Sequence, residues 1–174
     1  MKIEWKKSFK IAAILCAIAG VSAVLVSLAN VVTEPIIATN KATKEKNGLQ
    51  KVFGSDATYG EKKELSDTKY LLAYYPVTSS LGESRVYSTS GNNAYGTVSL
   101  LVGITSGYSL YNLVVMENTE SYATTLNENY IVTLINSDKK DEALNEVKCG
   151  ATYGAKLIRD MVNAAKDHYK EAKA

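Results

Sequence analysis

Between Ile11 and Val32 the chain reads IAAILCAIAGVSAVLVSLANVV, without a single charged residue. A helix that is apolar on every side has no use for water, and this length is close to the ~20 residues that cross a bilayer. Lys2, Lys6, Lys7 and Lys10 precede it with only Glu4 against them, whereas Glu34, Lys41, Lys44, Glu45 and Lys46 mix the signs after it. The positive-inside rule then puts the N-terminus in the cytoplasm and the rest of the chain outside, with Trp5 and Phe9 at the level of interfacial aromatic anchors. A cleaved signal peptide shares the charged start, but its apolar core runs to about 7–15 residues, shorter than this one. Leu15, immediately before Cys16, is also too bulky for lipoprotein cleavage. The expectation is an uncleaved single-pass anchor: a cytoplasmic stub over residues 1–10, a transmembrane helix over 11–32 and an extracytoplasmic domain over 33–174.

The 174 residues leave room for one domain beside that anchor. Twenty Lys and Arg against 18 Asp and Glu create no basic field, so nucleic acid is not an expected partner. Twelve tyrosines, against two phenylalanines and one tryptophan, point to a folded and partly wet surface of rings with polar tips. Cys16 lies in the membrane segment and cannot meet Cys149, which excludes a disulfide framework. With His168 as the one histidine, no zinc cluster can be assembled and no metal site is expected.

After the anchor, TEPIIATNKATKEKNGLQKVFG reads as a separate membrane-proximal helix, with Pro35 suited to its start and Gly48 or Gly54 to its stop. SDATYGEKKELSDT has no periodicity and reads as a loop. KYLLAYYPV and SRVYSTS are strand-like, with a turn over Ser79 to Gly82. In TVSLLVGIT, Val98, Leu100, Val102 and Ile104 alternate with Thr97, Ser99, Leu101 and Gly103, the period of a half-buried strand. SGYS turns the chain and LYNLVVME returns it, which makes a hairpin. Leu126, Ile131 and Leu134 suit a short helix capped by Ser121, Thr124 or Thr125, although Ile131 to Ile135 also suits a strand. DEALNEVK is a polar connection. In the last segment Leu157, Ile158, Met161, Val162, Ala165 and Tyr169 share one helical face, and Lys156, Arg159, Asp160, Asn163, Lys166, Asp167 and Lys170 take the other. The expected class is α+β: a transmembrane helix followed by a small antiparallel sheet with the C-terminal helix packed on it.

The start of that helix carries the chemistry. EVKCGATYGA, Glu146 to Ala155, is a glycine-containing turn opening into a helix, whose first N–H groups lack intrahelical partners and whose macrodipole is positive there. Gly150 permits a positive φ or a close approach to a ligand, and Gly154 keeps a second approach open. Such an end suits a phosphate. Thr152 stands where its hydroxyl can cap the first turn, or where it can carry a phosphate ester.

The same residues resemble the flavinylation motif of the FMN-binding domain family, commonly Asp-x-x-Ser/Thr-Gly-Ala-Thr. Glu146 takes the Asp place, Cys149 the Ser/Thr place, and Gly150, Ala151 and Thr152 match. LVSLANVVTEPIIATNK is similar to the anchor and juxtamembrane helix of the G-type subunit of the Rnf electron transport complex, a relative of the C-type subunit of the sodium-pumping NADH:quinone reductase. YGTVSLLVGITSGYSLYNLVVMENTES resembles the central hairpin of that family, which ends in Glu-Thr-Pro-Gly-Leu-Gly. Glu120 matches that Glu and Ser121 stands for the Thr, while Tyr122 replaces Pro and the Gly-Leu-Gly is missing. The resemblance implies FMN joined to Thr152 through a phosphodiester by a flavin transferase, with Cys149, Gly150 and Ala151 around the linkage and Glu120 near the flavin; Tyr122 and Tyr153 are the candidates for stacking on the ring. It implies an electron-carrying subunit at the plasma membrane, partnered by other membrane subunits of an ion-translocating oxidoreductase complex, with no catalytic residue of its own.

Three other readings compete with it. A stand-alone extracytoplasmic flavin shuttle keeps the cofactor and changes the partners. A cofactor-free anchored binding module leaves Thr152 as a plain cap. A Cys149 or Thr152 nucleophile needs a base, and on a continuous helix His168 is about 24 Å from Thr152, beyond hydrogen-bond reach.

Overall fold

The computed structural model describes residues 5–136 and 150–172, which divide into two units at Thr43/Lys44. In the first unit, helix α1 begins at Trp5; it ends at Phe53 in the second. Its side chains from Ile11 to Ile37 are exposed on every face. Among the described residues it is the one helix long and apolar enough to cross a membrane, with a mean hydropathy of 2.6 in its most apolar window.

The expected break at Pro35 is absent, because Pro35 lies inside α1. Proline removes one N–H from the helical ladder and crowds the preceding turn. Here hydroxyls bond back to carbonyls on either side, Thr33 Oγ1 to Ala29 O at 2.9 Å and Thr39 Oγ1 to Pro35 O at 2.8 Å. The membrane-proximal helix is therefore a continuation of the anchor. It stops at Gly54, whose φ of +90° is a left-handed helix end and whose N–H bonds Gln50 O at 2.9 Å. Gly48 lies within α1 and does not end it.

The second unit holds an antiparallel sheet of β1 (Thr58–Tyr59), β2 (Lys63–Glu64), β3 (Leu71–Ser79), β4 (Gly82–Asn93), β5 (Gly96–Ile104) and β6 (Leu110–Asn118), in the order β1-β3-β4-β5-β6 with β2 also on β3. The segment read as a loop supplies β1 and β2; two-residue strands are too short to show any period. The β5–β6 hairpin is as expected, closed by a turn in which Tyr108 takes a φ of +63°.

Both faces of the sheet are covered. Tyr87, Val98, Leu100, Val102, Ile104, Leu110 and Leu113 pack with α4 (Thr152–Glu171) and with the helical segment 123–135. On the other face Val77, Val86 and Leu101 meet Leu49 and Val52 from the last turns of α1. β5 is thus buried on both sides, not half-buried, with Leu101 at 1 % exposure. A bulge between Leu71 and Ala73 switches β3 between faces, leaving Leu71 with one cluster and Tyr75 and Val77 with the other.

Segment 123–135 is helical throughout: α2 (Ala123–Thr125), a π turn (Leu126–Ile131) and α3 (Val132–Ile135). Neither Ser121 nor Thr124 nor Thr125 caps it; Tyr122 occupies the N-cap, without a side-chain bond. The extra residue in the π turn brings Leu126, Tyr130, Ile131 and Leu134 to the buried side together. On α4 the expected apolar face is buried, and Lys166, assigned to the wet face, is also buried at 2 % exposure and has a partner. The connection DEALNEVK lies outside the described residues.

Candidate functional site

Three segments distant in sequence converge at the N-terminus of α4. The first is the β4–β5 turn, in which Asn93 Oδ1 accepts from Tyr95 N at 2.8 Å. Gly96, at a φ of +150°, lies so near the chain after β6 that a β-carbon there would stand 2.6 Å from Thr119 O. Only glycine fits that approach. The second segment, Thr119 to Tyr122, is sewn to this turn: Thr119 N donates to Thr97 O at 2.9 Å, Thr97 N to Thr119 Oγ1 at 2.9 Å, and Ser121 N to Tyr95 O at 3.3 Å. The third is Gly150 to Gly154.

Glu120 lies between them. It is 6 % exposed, its N–H bonds Asn118 Oδ1 at 3.1 Å, and its carboxylate accepts a short hydrogen bond from Asn93 Nδ2. The carboxylate also rests against Gly154 in the first turn of α4, where a β-carbon would collide with it and with Leu126. A strand-end glutamate is ordinarily solvated; this one is held by an amide donor and the positive end of a helix. Gly154 makes that contact possible.

Thr152 is the first residue of α4, and Ala151 is the N-cap, with φ −103° and ψ 60°. The capping role suggested for Thr152 therefore falls one residue early, on a side chain with no oxygen to offer. Ala155 N closes the first helical bond to Ala151 O at 3.0 Å. Thr152 and Tyr153 are exposed while Ala151 is buried. Gly150 takes no positive φ, and among the described residues a β-carbon there would find only Thr125 Cγ2, at 3.9 Å.

Glu120, Tyr122, Gly150, Ala151, Thr152 and Tyr153, all singled out from the sequence, line one open cleft of about 200 Å³ together with Gly154 and Tyr95. Cys149 and Glu146 lie outside the described residues. Tyr95 was not anticipated. Its ring stands 5.5 Å from that of Tyr153 and 6.2 Å, nearly edge-on, from that of Tyr122. The three rings are 44 %, 54 % and 62 % exposed for Tyr95, Tyr122 and Tyr153, an unusual clustering of wet aromatic surface. Asn93 was missed as well; the turn signal Asn-Asn-Ala-Tyr-Gly marks a hairpin but says nothing of the helix it will meet.

His168 sits near the far end of α4, its Nδ1 3.1 Å from the Tyr87 hydroxyl. Burial, and then the Arg85 guanidinium, hold its pKa below the usual histidine value. It cannot serve as a base for Thr152. Among the described residues no group of His, Cys, Asp and Glu side chains has the arrangement of a metal site.

A family model described as the RnfG N-terminal region matches residues 1–52. Over that span, which α1 occupies almost to its end, the chain resembles the G-type subunit of the Rnf complex. No curated protein matches the chain. The match ends before the sheet and the cleft.

Proposed function

We propose that the chain is the electron-carrying subunit of an Rnf-like membrane complex and holds FMN through a phosphodiester to Thr152. The observation that carries this reading is an exposed threonine in the first turn of α4, lining a cleft that three exposed tyrosines also line. The residues suit the group. The N–H groups of the first turn and the helix dipole favour a phosphate at Thr152. Tyr95, Tyr122 and Tyr153 supply faces for a flat aromatic ring. Buried Glu120 ties the β4–β5 turn to the first turn of α4, through its bond from Asn93 and its contact with Gly154.

FMN, when bound, supplies the one- and two-electron chemistry; the protein supplies position and environment. A covalent tether prevents loss of the cofactor on the outer side of a membrane. In this reading residues 1–10 face the cytoplasm, residues 11–32 cross the plasma membrane and residues 33–174 are extracytoplasmic. Other membrane subunits are the electron partners, and a flavin transferase loads the chain.

The test is co-expression with a flavin transferase, followed by intact mass and in-gel flavin fluorescence after denaturation. Wild type gains one FMN adduct and fluoresces; Thr152→Ala does neither, whereas Tyr95→Ala and Tyr153→Ala are still loaded. An unmodified wild-type mass turns Thr152 back into an ordinary helix residue and the chain into a cofactor-free anchored module.

A further inference from the structure

A second cleft lies at the opposite end of α4, about 25 Å from Thr152 at ~1.5 Å per residue. Arg85 on β4 is its centre. The guanidinium lies over the Tyr74 ring at 4.7 Å and over the Tyr169 ring at 4.9 Å, and Nη1 reaches the Tyr87 hydroxyl at 3.5 Å. Those rings are themselves fixed. Tyr169 donates its hydroxyl to Glu83 O at 2.8 Å and meets Tyr108 edge-on at 5.6 Å. Tyr87 is fully buried, and burial pushes its hydroxyl pKa up to about 12, so it stays a neutral partner.

Arg85 is half-buried, and among the described residues no carboxylate lies within ion-pair distance of it. A guanidinium has five N–H donors. One is engaged by Tyr87 through a long bond, and the rings take its charge without accepting the rest in the plane. Beside it is a cleft of about 230 Å³ whose wall includes Lys63, Thr78 and the buried Ser84. The Lys63 ammonium, 5.8 Å from the centre of the Tyr74 ring, brings a second positive charge to the same wall. Glu83, the acidic residue of the lining, is exposed. His168 borders the cluster through Tyr74 and Tyr87, and its lowered pKa leaves it uncharged near neutral pH.

We propose that the cleft between β2, β3, β4 and the end of α4 binds a small oxyanion, the phosphate or carboxylate group of a free metabolite, held by Arg85 and Lys63. A planar fork with its charge already braced by two rings is pre-organised for such a group, since little side-chain freedom is lost on binding. Thr78, on the same face of β3 as Tyr74, lines the cleft as a candidate donor. This site is independent of flavin attachment.

The full-length protein in detergent micelles is titrated with inorganic phosphate and, separately, with succinate, at ionic strength held constant with chloride. Amide shifts at Thr78, Ser84 and Arg85 report the binding. Saturation by phosphate alone assigns a phosphate-bearing ligand, saturation by succinate alone a carboxylate, and saturation by both a general oxyanion site. Arg85→Gln weakens the affinity about tenfold or more, the value of one charge-assisted hydrogen bond. Lys63→Gln weakens it less, and Thr152→Ala leaves it unchanged. Shifts that fail to saturate with either anion overturn the proposal, as does equal affinity in Arg85→Gln. Should Arg85→Gln not fold, the exposed Lys63→Gln decides: unchanged affinity there is equally fatal.

Discussion

At the scale of single residues, Gly154 and Glu120 define the cleft more than the threonine does. A carboxylate can lie against the first turn of α4 because position 154 has no side chain, and the helix in turn offsets the cost of burying that charge. Gly154→Ala pushes a methyl group into Glu120 and Leu126, both of which are packed on their far sides. Overpacking of this kind costs about 1–3 kcal/mol. Thermal unfolding of the variant in detergent is expected to show a midpoint several degrees below wild type, and an unchanged midpoint would mean that Glu120 is free to swing away. Thr152 by contrast is exposed, and its replacement by alanine is expected to abolish loading with flavin.

Among the elements, α1 and β5 meet through a glycine on each side. A β-carbon at Gly48 would stand 2.7 Å from Leu101 Cδ1 and 2.7 Å from Met116 Sδ, and one at Gly103 would strike Val52 and approach Phe53 to 3.1 Å. The last turns of α1 therefore lie unusually close to the sheet and bury its second face. Gly103→Ala and Val52→Ala each destabilise, the first by crowding and the second by a lost contact. The added methyl of the first occupies part of the space left by the second. The double variant is accordingly expected to be more stable than the sum of the single losses, by about 0.5 kcal/mol or more in a denaturant-unfolding cycle. Strict additivity would show that helix and strand do not touch at this point. The same contact explains why β5 shows a half-buried period in its sequence yet is buried on both faces: Leu101 and Gly103 face a helix that begins in another part of the chain.

For the whole molecule, both apolar clusters lie between Leu49 and Tyr169. Among the described residues none before Lys44 belongs to either cluster, and those residues form a unit of their own. A chain of residues 44–174 is expected to unfold cooperatively in aqueous buffer without detergent, while the full chain stays with membranes through a carbonate wash. Aggregation of the shorter chain would show that residues before Lys44 cover part of its surface. Local pattern determined the long apolar helix, the β5–β6 hairpin and the amphipathic α4: an unbroken apolar run in the first, and in the other two a buried face whose spacing is local. What only the tertiary structure decided is which distant segments meet: Tyr95 and Asn93 beside Thr152, Gly154 over Glu120, and Arg85 between Tyr74 and Tyr169. No spacing records these contacts, since they arise from the order of strands in the sheet and from the end of the sheet on which each terminus of α4 comes to rest.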